Sequence, residues 1–332
     1  MQTRYFGQSA TPVSAMGLGC MSFIGFYGAA DDAESLRVLQ RSLDLGVTFW
    51  DTANAYGNGK SESLLGRFFA ENPGSREKVF LATKFGISRT PEGGRLVDNT
   101  PEHLVASLDA SLKRLGVEKI DLYYLHRLST DIPVEETVAA MAKQVAAGKI
   151  GAIGLSEVAP DTVRRAHAVH PIAAVQSEYS LWSRGPELGL VDVCHEISAT
   201  LVAFSPLGRG YFGGELSDLE SMPPSEFRRI NPRFHPQNWE RNLVWLKAFL
   251  RLAAEWNIAP ATLALAWVLA KAPNIVPIPG TRTLAHLEQN AAAGNIELSA
   301  AQVAEIERIL PAGFAAGERY NAAQWINVER YG

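Results

Sequence analysis

The segment Leu122-Tyr123-Tyr124-Leu125-His126 is a short apolar run that ends on a side chain able to form hydrogen bonds. Six other apolar runs end in the same way, and the residues that close them are Asp51, Lys84, Ser156, Gln176, Ser205 and Thr281. Polar groups at the carboxyl ends of parallel strands are where a barrel of alternating strands and helices places its chemistry. The recurrence predicts such a barrel, with a site at one end of it.

Segments with helix signals fill the gaps between these runs. Prolines stand near the expected helix starts and glycines where helices should stop, namely Pro101, Pro133, Pro160 and Pro260, and Gly46, Gly116 and Gly148. Runs that are apolar throughout suit strands buried on both faces, and their alternation with helices predicts a parallel sheet. A first strand near residues 13–19 brings the count to eight. We expect an α/β protein with a (β/α)8 TIM barrel, in a single domain spanning residues 1–332.

Residues 208–240 break this rhythm, because they follow the seventh strand without a clear apolar period and are rich in Gly, Pro, Arg and Phe. A loop of this length without secondary structure is usually a functional lid or a misassigned element. We expect a lid over the mouth of the barrel.

A doubly wound dinucleotide-binding fold is the main alternative, because Gly17-Leu18-Gly19 follows the first strand. The third glycine of that fingerprint is missing, since Ser22 stands in its place, and two glycines alone are a weak signal. The pattern favours the barrel.

The composition excludes several other classes of protein. The chain has 332 residues, 47% of them apolar, and a formal net charge of -4. This balance argues against nucleic-acid and anionic-membrane partners, both of which require a basic patch. Cys20 and Cys194 are too few and too far apart for a disulfide framework or a structural zinc site, so we expect a reducing compartment and no metal. The amino terminus resembles no secretory signal, and we expect a cytoplasmic protein whose oligomeric state the sequence leaves open.

Four side chains at or just past the ends of neighbouring strands are expected to converge on one mouth: Asp51, Tyr56, Lys84 and His126. A free tyrosine has a pKa of ~10, too high for an efficient proton donor near neutral pH, and a nearby ammonium lowers that pKa. Lys84 could supply this charge, Asp51 could hold Lys84 protonated, and His126 could orient a carbonyl oxygen beside Tyr56. Each side chain taken singly could instead be structural. Together they predict a site that protonates a carbonyl group and takes its hydride from elsewhere.

The chain resembles the aldo-keto reductase family, in particular its bacterial and fungal branch, over essentially its whole length. Seven stretches in order carry the resemblance: Asp51-Thr52-Ala53-Asn54-Ala55-Tyr56-Gly57, Ala82-Thr83-Lys84, Asp121-Leu122-Tyr123-Tyr124-Leu125-His126-Arg127, Gly154-Leu155-Ser156-Glu157, Val175-Gln176-Ser177-Glu178-Tyr179-Ser180, Phe204-Ser205-Pro206-Leu207-Gly208-Arg209-Gly210 and Pro277-Ile278-Pro279-Gly280-Thr281. The resemblance implies NADPH-linked reduction of an aldehyde or ketone, with Tyr56 as general acid supported by Asp51, Lys84 and His126.

The resemblance also implies a cofactor site, which residues 208–240 would cover. Ser156, Glu157 and Gln176 would hold the nicotinamide carboxamide, and Phe204 would lie against the ring. The pyrophosphate and adenosine would be held by Ser205, Pro206, Leu207, Gly208, Arg209, Gly210, Pro279, Gly280, Thr281, Arg282, Gln289 and Asn290, with Gly19 and Met21 beside the cofactor. Arg282 favours NADPH over NADH, because a guanidinium matches phosphate geometry. The chain departs from the family pattern at Glu157, Phe204, His286 and Gln289. His286 stands where classical members carry an arginine on the 2′-phosphate, which weakens the case for NADPH.

The substrate pocket is less well determined by the sequence. Arg127 with Tyr27, Phe85 and Trp182 would favour a carbonyl substrate with a polar or anionic tail, or Arg127 could instead form a salt bridge. The aromatic-rich segment 313–332 either folds back over the mouth or forms a surface tail. Two other functions stay open, namely a Schiff-base enzyme that uses Lys84 and a slow or non-catalytic subunit that senses nicotinamide nucleotides.

Overall fold

Eight parallel strands form the central sheet of the computed structural model, which describes residues 1–7, 11–90, 94–214, 219, 222 and 226–331. In chain order, which is also their order in the sheet, the barrel strands are Gly17–Gly19, Phe49–Asp51, Phe80–Phe85, Ile120–Leu125, Ile150–Ser156, Ile172–Glu178, Thr200–Phe204 and Ile275–Pro277. All neighbouring pairs are parallel. The predicted order of strands is confirmed.

The sheet closes where the eighth strand returns to the first. Gly19 forms a parallel bridge with Gly280, and its amide donates to the Pro279 carbonyl at 3.1 Å. A Cβ atom on Gly19 would lie 2.7 Å from the Ile278 carbonyl oxygen, so only glycine allows this approach. Gly17-Leu18-Gly19 therefore belongs to the first barrel strand, and the rejection of a dinucleotide-binding turn is confirmed.

Helices connect the strands and cover the barrel. In the described part of the chain they are Asp32–Asp44, Lys60–Glu71, Pro101–Leu115, Val134–Ala146, Pro160–Val169, Leu190–Glu196, Pro236–Glu255, Pro260–Lys271, Leu284–Ala292 and Ala300–Ile309. The four prolines stand at helix starts, as predicted: Pro101, Pro160 and Pro260 are first residues of their helices, and Pro133 is the N-cap of the helix that starts at Val134. Gly116 ends its helix in the left-handed conformation, with φ at +65°.

One end of the barrel is closed by an amino-terminal hairpin. Thr3–Tyr5 pairs with Pro12–Ser14, and Phe6 stacks on Phe80, at the start of the third barrel strand, with ring centroids 4.9 Å apart. Phe6 is fully buried in the cluster that fills the barrel interior. This apolar plug leaves the carboxyl ends of the strands as the open face.

The loop predicted for residues 208–240 ends earlier than expected, because a helix begins at Pro236. Pro236 starts the helix Pro236–Glu255 after His235 as its N-cap, since proline is well suited to the first helical position. Among the described residues before it lie the single-turn helices Tyr211–Gly213, Phe227–Ile230 and Pro232–Phe234. Residues 215–218, 220–221 and 223–225 of the predicted lid lie outside the described residues.

Within the described ranges, no single helix combines the length and apolarity that a membrane span needs. Pro236–Glu255 and Pro260–Lys271 satisfy that criterion only as a pair, and they bend by 92° at the break between them.

Candidate active site

The carboxyl ends of the barrel strands open into a cavity of about 870 Å³. Asp51, Ser156 and Phe204 are the last residues of the second, fifth and seventh barrel strands, and all three line this cavity. Tyr56 and His126 line it as well. The side chains predicted from the ends of separate apolar runs are therefore brought together at one mouth.

Lys84 is the centre of a buried polar cluster behind the cavity wall. Its Nζ atom donates to Asp51 Oδ1, to the Thr52 carbonyl at 2.8 Å and to the Tyr56 hydroxyl at 3.4 Å. Gln176 Nε2 donates to the other Asp51 oxygen at 2.8 Å. Both Asp51 oxygens thus have donors, and Lys84 reaches the cavity only through Tyr56 and Asp51, since it does not itself line the wall.

The charge on Lys84 is maintained by its partners. Burial lowers the pKa of the Lys84 ammonium, but the Asp51 carboxylate and Tyr56 raise it by more, so that its pKa lies above the ordinary value. Neither Lys84 nor Asp51 is appreciably exposed, and a buried pair of this kind is stable only when its remaining hydrogen bonds are made. Contact with Asp51 and Tyr56 therefore favours the protonated form of Lys84 next to the Tyr56 hydroxyl.

The net effect on Tyr56 differs from the expected one. Burial raises the pKa of the Tyr56 hydroxyl, whereas the Lys84 ammonium lowers it, and burial is the larger effect. The pKa of Tyr56 consequently lies above its ordinary value, although the direction of the Lys84 contribution is as predicted. A hydroxyl in this state keeps its proton at neutral pH, and the Lys84 ammonium offsets part of the effect of burial that makes this proton harder to donate.

His126 forms the other side of the site. It directly follows the fourth barrel strand, and its amide donates to the Phe85 carbonyl at 2.8 Å. The His126 ring stands edge-on to the Tyr56 ring, with centroids 5.9 Å apart and an interplanar angle of 81°. A carbonyl oxygen placed between the two side chains would meet both.

Of the four residues predicted to contact the nicotinamide, three line the cavity and one does not. Ser156, Gln176 and Phe204 line the cavity, but Glu157 does not. Glu157 Oε2 pairs with Arg319 at 2.7 Å, and Oε1 accepts from the Ser177 hydroxyl and the Glu178 amide, each at 3.0 Å. The Glu157 carboxylate is used for internal contacts on the side away from the cavity.

The turn from Ser205 to Gly210 forms the middle of the cavity wall, with Gly208 set behind it. Gly208 donates its amide to the Ser205 carbonyl at 2.9 Å, and Gly210 donates to Leu207 at 3.2 Å. The amides of Leu207 and Arg209 have no acceptor among the described residues. A diphosphate at this turn would therefore bind those two amides, rather than the glycine amides. Gly208 is needed for packing, because a Cβ there would lie 2.8 Å from the Trp182 indole.

The far end of the cavity contains all residues predicted for the adenosine half of the cofactor. Pro279, Gly280, Thr281, Arg282, Gln289 and Asn290 line it, together with His286. Arg282 Nη1 donates to the Ala29 carbonyl, which ties the loop before the first helix to this end. The elongated set of donors, from Ser156 to Arg282, fits a dinucleotide phosphate.

The predicted substrate residues are divided between the cavity and the core. Tyr27 and Arg127 line the cavity. The other two do not line it, because Phe85 stacks on Tyr123 at 5.3 Å and Trp182 stacks on Tyr211 at 4.2 Å, both inside the main apolar core. The two rings are buried against the elements that cover the barrel and do not reach the cavity.

Several wall residues were missed by the sequence reasoning, namely Ser22, Ile24, Phe26, Ile87, Met222, Phe227, Arg228, Tyr320 and Gln324. Tyr320 and Gln324 belong to the carboxyl-terminal segment, so this segment does fold back to the mouth. Arg228 Nη1 donates to the Arg209 carbonyl at 3.4 Å, and its guanidinium lies 5.6 Å from the Tyr27 ring. The aromatic residues of segment 313–332 were the only sequence signal for this contribution, and they did not indicate which residues would contact the cavity.

A buried charge cluster attaches the carboxyl-terminal segment to the barrel. Glu178, in the sixth strand, pairs with Arg209 at 2.8 Å and with Arg319 at 3.4 Å. Burial raises the pKa of the Glu178 carboxyl, but Arg209, Arg319 and Arg233 together lower it below its ordinary value. Glu329 extends the attachment by accepting from the Ala159 amide at 2.7 Å.

Comparisons with known proteins agree with this geometry. A model of the aldo/keto reductase family matches residues 15–311. The aldo-keto reductase yakc of Schizosaccharomyces pombe, whose name specifies NADP(+), is 42% identical over 322 residues, which is 96% of this chain and 94% of that relative. A probable aldo-keto reductase 1 of Glycine max is 42% identical over 95% of this chain and 90% of its own. The solved structure of a glycerol dehydrogenase from Gluconobacter oxydans superposes with a TM-score of 0.85, at 27% identity, over 93% of this chain and 94% of that one.

Proposed function

Because the chain belongs to the aldo/keto reductase family, we propose that it is an oxidoreductase that reduces the carbonyl group of an aldehyde or ketone to an alcohol with NADPH. The observation that carries the proposal is the contact of 3.4 Å between Lys84 Nζ and the Tyr56 hydroxyl at the inner end of a dinucleotide-sized cavity.

Tyr56 is the proton donor in this proposal. The bound carbonyl oxygen accepts the Tyr56 proton while His126 fixes its position from the other side. Lys84 stabilises the negative charge that develops on the Tyr56 oxygen, and Asp51 keeps Lys84 charged. Positioned proton transfer of this kind contributes about 10²- to 10⁴-fold to a rate.

NADPH supplies the hydride when it is bound. Ser156 and Gln176 would hold its carboxamide, and the face of Phe204 would fix the orientation of the ring. Gln176 also donates to Asp51, so that the nicotinamide site and the proton-donating cluster share a side chain.

The Schiff-base alternative is disfavoured by the state of Lys84. An amine whose pKa is raised by a buried carboxylate stays protonated and is a poor nucleophile. No observation among the described residues favours a non-catalytic sensor, because the proton-donating cluster is assembled.

The test of the reaction is turnover of an aldehyde panel with NADPH, followed by reduced-nicotinamide absorbance and by product identification. Tyr56→Phe removes only the donating hydroxyl, and we expect turnover to fall by at least about 100-fold. Tyr5→Phe, at an exposed position on the opposite face, is the matched control. Comparable turnover by Tyr56→Phe and the wild type would contradict the proposal.

The choice of NADPH rests on Arg282 and on the NADP(+) relative. Arg282→Gln should weaken NADPH binding by about 10-fold, since it removes a charge-assisted contact, and should change NADH binding by less than about twofold. Fluorescence titration measures both constants. Arg308→Gln, an exposed arginine paired with Glu305, is the control. Equal weakening for both nucleotides would show that Arg282 does not read the phosphate.

A further inference from the structure

Arg127 is a buried cation in the cavity wall that forms no salt bridge with any carboxylate in the described residues. Only 9% of its surface is exposed. Its Nη1 atom donates to the His126 carbonyl at 2.8 Å and to the Ser156 hydroxyl at 3.3 Å, and its Nε atom is buried without an acceptor. The salt bridge considered as an alternative from the sequence is therefore absent from the described part of the protein.

Two other arginines with little exposed surface, Arg209 and Arg319, are neutralised by carboxylates. Arg209 pairs with Glu178 at 2.8 Å, and Arg319 pairs with Glu157 at 2.7 Å. A buried charge is unfavourable unless it is paired, and a guanidinium cannot shed its proton to relieve the cost. The cavity is the place from which a negative partner for Arg127 can come.

The unused part of the Arg127 guanidinium is the edge that arginines prefer for carboxylates. Arg165 holds Glu135 through Nε and Nη2 at 2.8 and 2.9 Å, and Arg308 holds Glu305 in the same way at 2.9 and 2.8 Å. Arg127 donates to the protein only through Nη1. Nε is fully buried, so Nη2, which makes no hydrogen bond among the described residues, is the donor of this edge that a carboxylate in the cavity can reach.

The position of Arg127 places this edge near the reacting group. Arg127 directly follows His126, and the Ser156 hydroxyl that it contacts belongs to the nicotinamide end of the cavity. Burial raises the pKa of Tyr56, and the charge on Arg127 is close enough to oppose this effect. An anion bound by Arg127 would therefore lie beside the carbonyl site.

We propose that Arg127 selects carbonyl substrates that carry a carboxylate near the carbonyl carbon, such as oxo acids and carboxylated aldehydes. This substrate class rests on the reductase function proposed above. The carboxylate of the substrate accepts from Nη2 of Arg127, and the carbonyl oxygen lies between Tyr56 and His126. Uncharged analogues leave the guanidinium buried and unpaired, so their kcat/KM is lower than that of the acids.

The test compares 2-, 3- and 4-carboxybenzaldehyde with their methyl esters as substrates, with NADPH. For at least one isomer, Arg127→Met should lower the acid-to-ester ratio of kcat/KM by about 10- to 100-fold, mainly through KM of the acid. Arg165→Met removes a paired surface arginine as a matched control and should leave the ratio within about twofold. An equal loss of kcat/KM for acids and esters would overturn the proposal, because it would mean that Arg127 only positions Ser156.

Arg127→Lys covers the case in which Arg127→Met does not fold. Lysine keeps the charge but loses the planar guanidinium that holds Nη2 in place, so the acid-to-ester ratio should fall by about 3- to 10-fold. An unchanged ratio in a folded Arg127→Lys enzyme would also overturn the proposal.

Calorimetric titration separates this proposal from the reductase function. Benzoate should bind the NADP+-loaded wild type more tightly than benzamide, and Arg127→Met should abolish the difference. Binding of benzoate that depends on Arg127, without turnover of any aldehyde, would refute the reductase function and keep the carboxylate site. Turnover of acids and esters at equal kcat/KM, with no preference for benzoate, would refute the carboxylate site alone.

Discussion

Tyr56 is the residue at which burial and charge oppose each other most directly. Burial favours its neutral hydroxyl, and the Lys84 ammonium favours the ionised form. Because burial is the larger effect, the resting site holds a protonated donor, which suits reduction of a carbonyl group. The reverse reaction needs the ionised form of Tyr56 as the proton acceptor.

The direction of the Tyr56 pKa shift gives a prediction for pH dependence. Its pKa lies above the ordinary value of 10.0, and the donating form is lost only as the pH rises through that raised pKa. The kcat/KM for reduction should therefore show no loss from Tyr56 up to about pH 9, while the rate of alcohol oxidation should rise with pH. Initial rates in both directions across this range measure it. A fall in reduction centred near neutral pH, absent in a variant that alters only Tyr56, would contradict the assignment.

At the scale of elements, the carboxyl-terminal segment is an integral part of the barrel mouth. Arg319 joins it to Glu157 and Glu178, which lie in or just after the fifth and sixth barrel strands. Both carboxylates have fully buried side chains, so they depend on the arginines around them. The segment also contributes Tyr320 and Gln324 to the cavity.

Loss of Arg319 should therefore destabilise the protein as a whole. Arg319→Met leaves the buried Glu157 carboxylate without its cation, and breaking a buried pair in this way costs roughly 3 kcal/mol or more. Denaturant unfolding followed by circular dichroism measures the change in the free energy of unfolding. Arg330→Met is the matched control, because Arg330 lies on the same segment, is exposed and stacks on Trp325 at 4.1 Å. A loss no larger than that of the control would mean that the segment is not held by this cluster.

The elements also show which features a sequence can predict. Asp51 and Ser156 were located correctly because an uninterrupted apolar run defines a buried strand, and chain direction determines which end of that strand carries the site. Phe85 and Trp182 lie in the core rather than in the cavity wall, because the side to which an aromatic residue packs depends on the helices and loops that cover it. The pairing of Glu157 with Arg319 could not be predicted, because Arg319 is distant in the chain and no local pattern links the two.

At the scale of the whole molecule, the barrel depends on a close approach between its first and last strands. Gly19 and Gly280 form the bridge at this closure, directly beside the cavity. The short backbone distance is possible only without side chains at the seam. Closure of the barrel and this part of the cavity wall thus use the same residues.

Gly19→Ala tests this dependence. The new methyl group would meet the Ile278 carbonyl oxygen at 2.7 Å, and a backbone atom in a strand cannot move away cheaply. We expect a loss of about 1–3 kcal/mol in the free energy of unfolding, seen as a lower Tm. Gly185→Ala, where no atom lies within 4 Å of the added Cβ, should leave Tm nearly unchanged. Equal melting temperatures for the two variants would show that the contact between the first and last strands accommodates a methyl group without loss of stability.

The most direct test of the central claim, that the cavity is a carbonyl-reducing site built around Tyr56, is to follow the transferred hydrogen. Wild-type protein and Tyr56→Phe are incubated with an aldehyde and NADPH deuterated at the transferable position, and the alcohol is examined by mass spectrometry. The wild type should place one deuterium on the carbinol carbon, and Tyr56→Phe should form little alcohol in the same time. Failure of the wild type to form labelled alcohol from any aldehyde tested, or its formation at an equal rate by Tyr56→Phe, would contradict the claim.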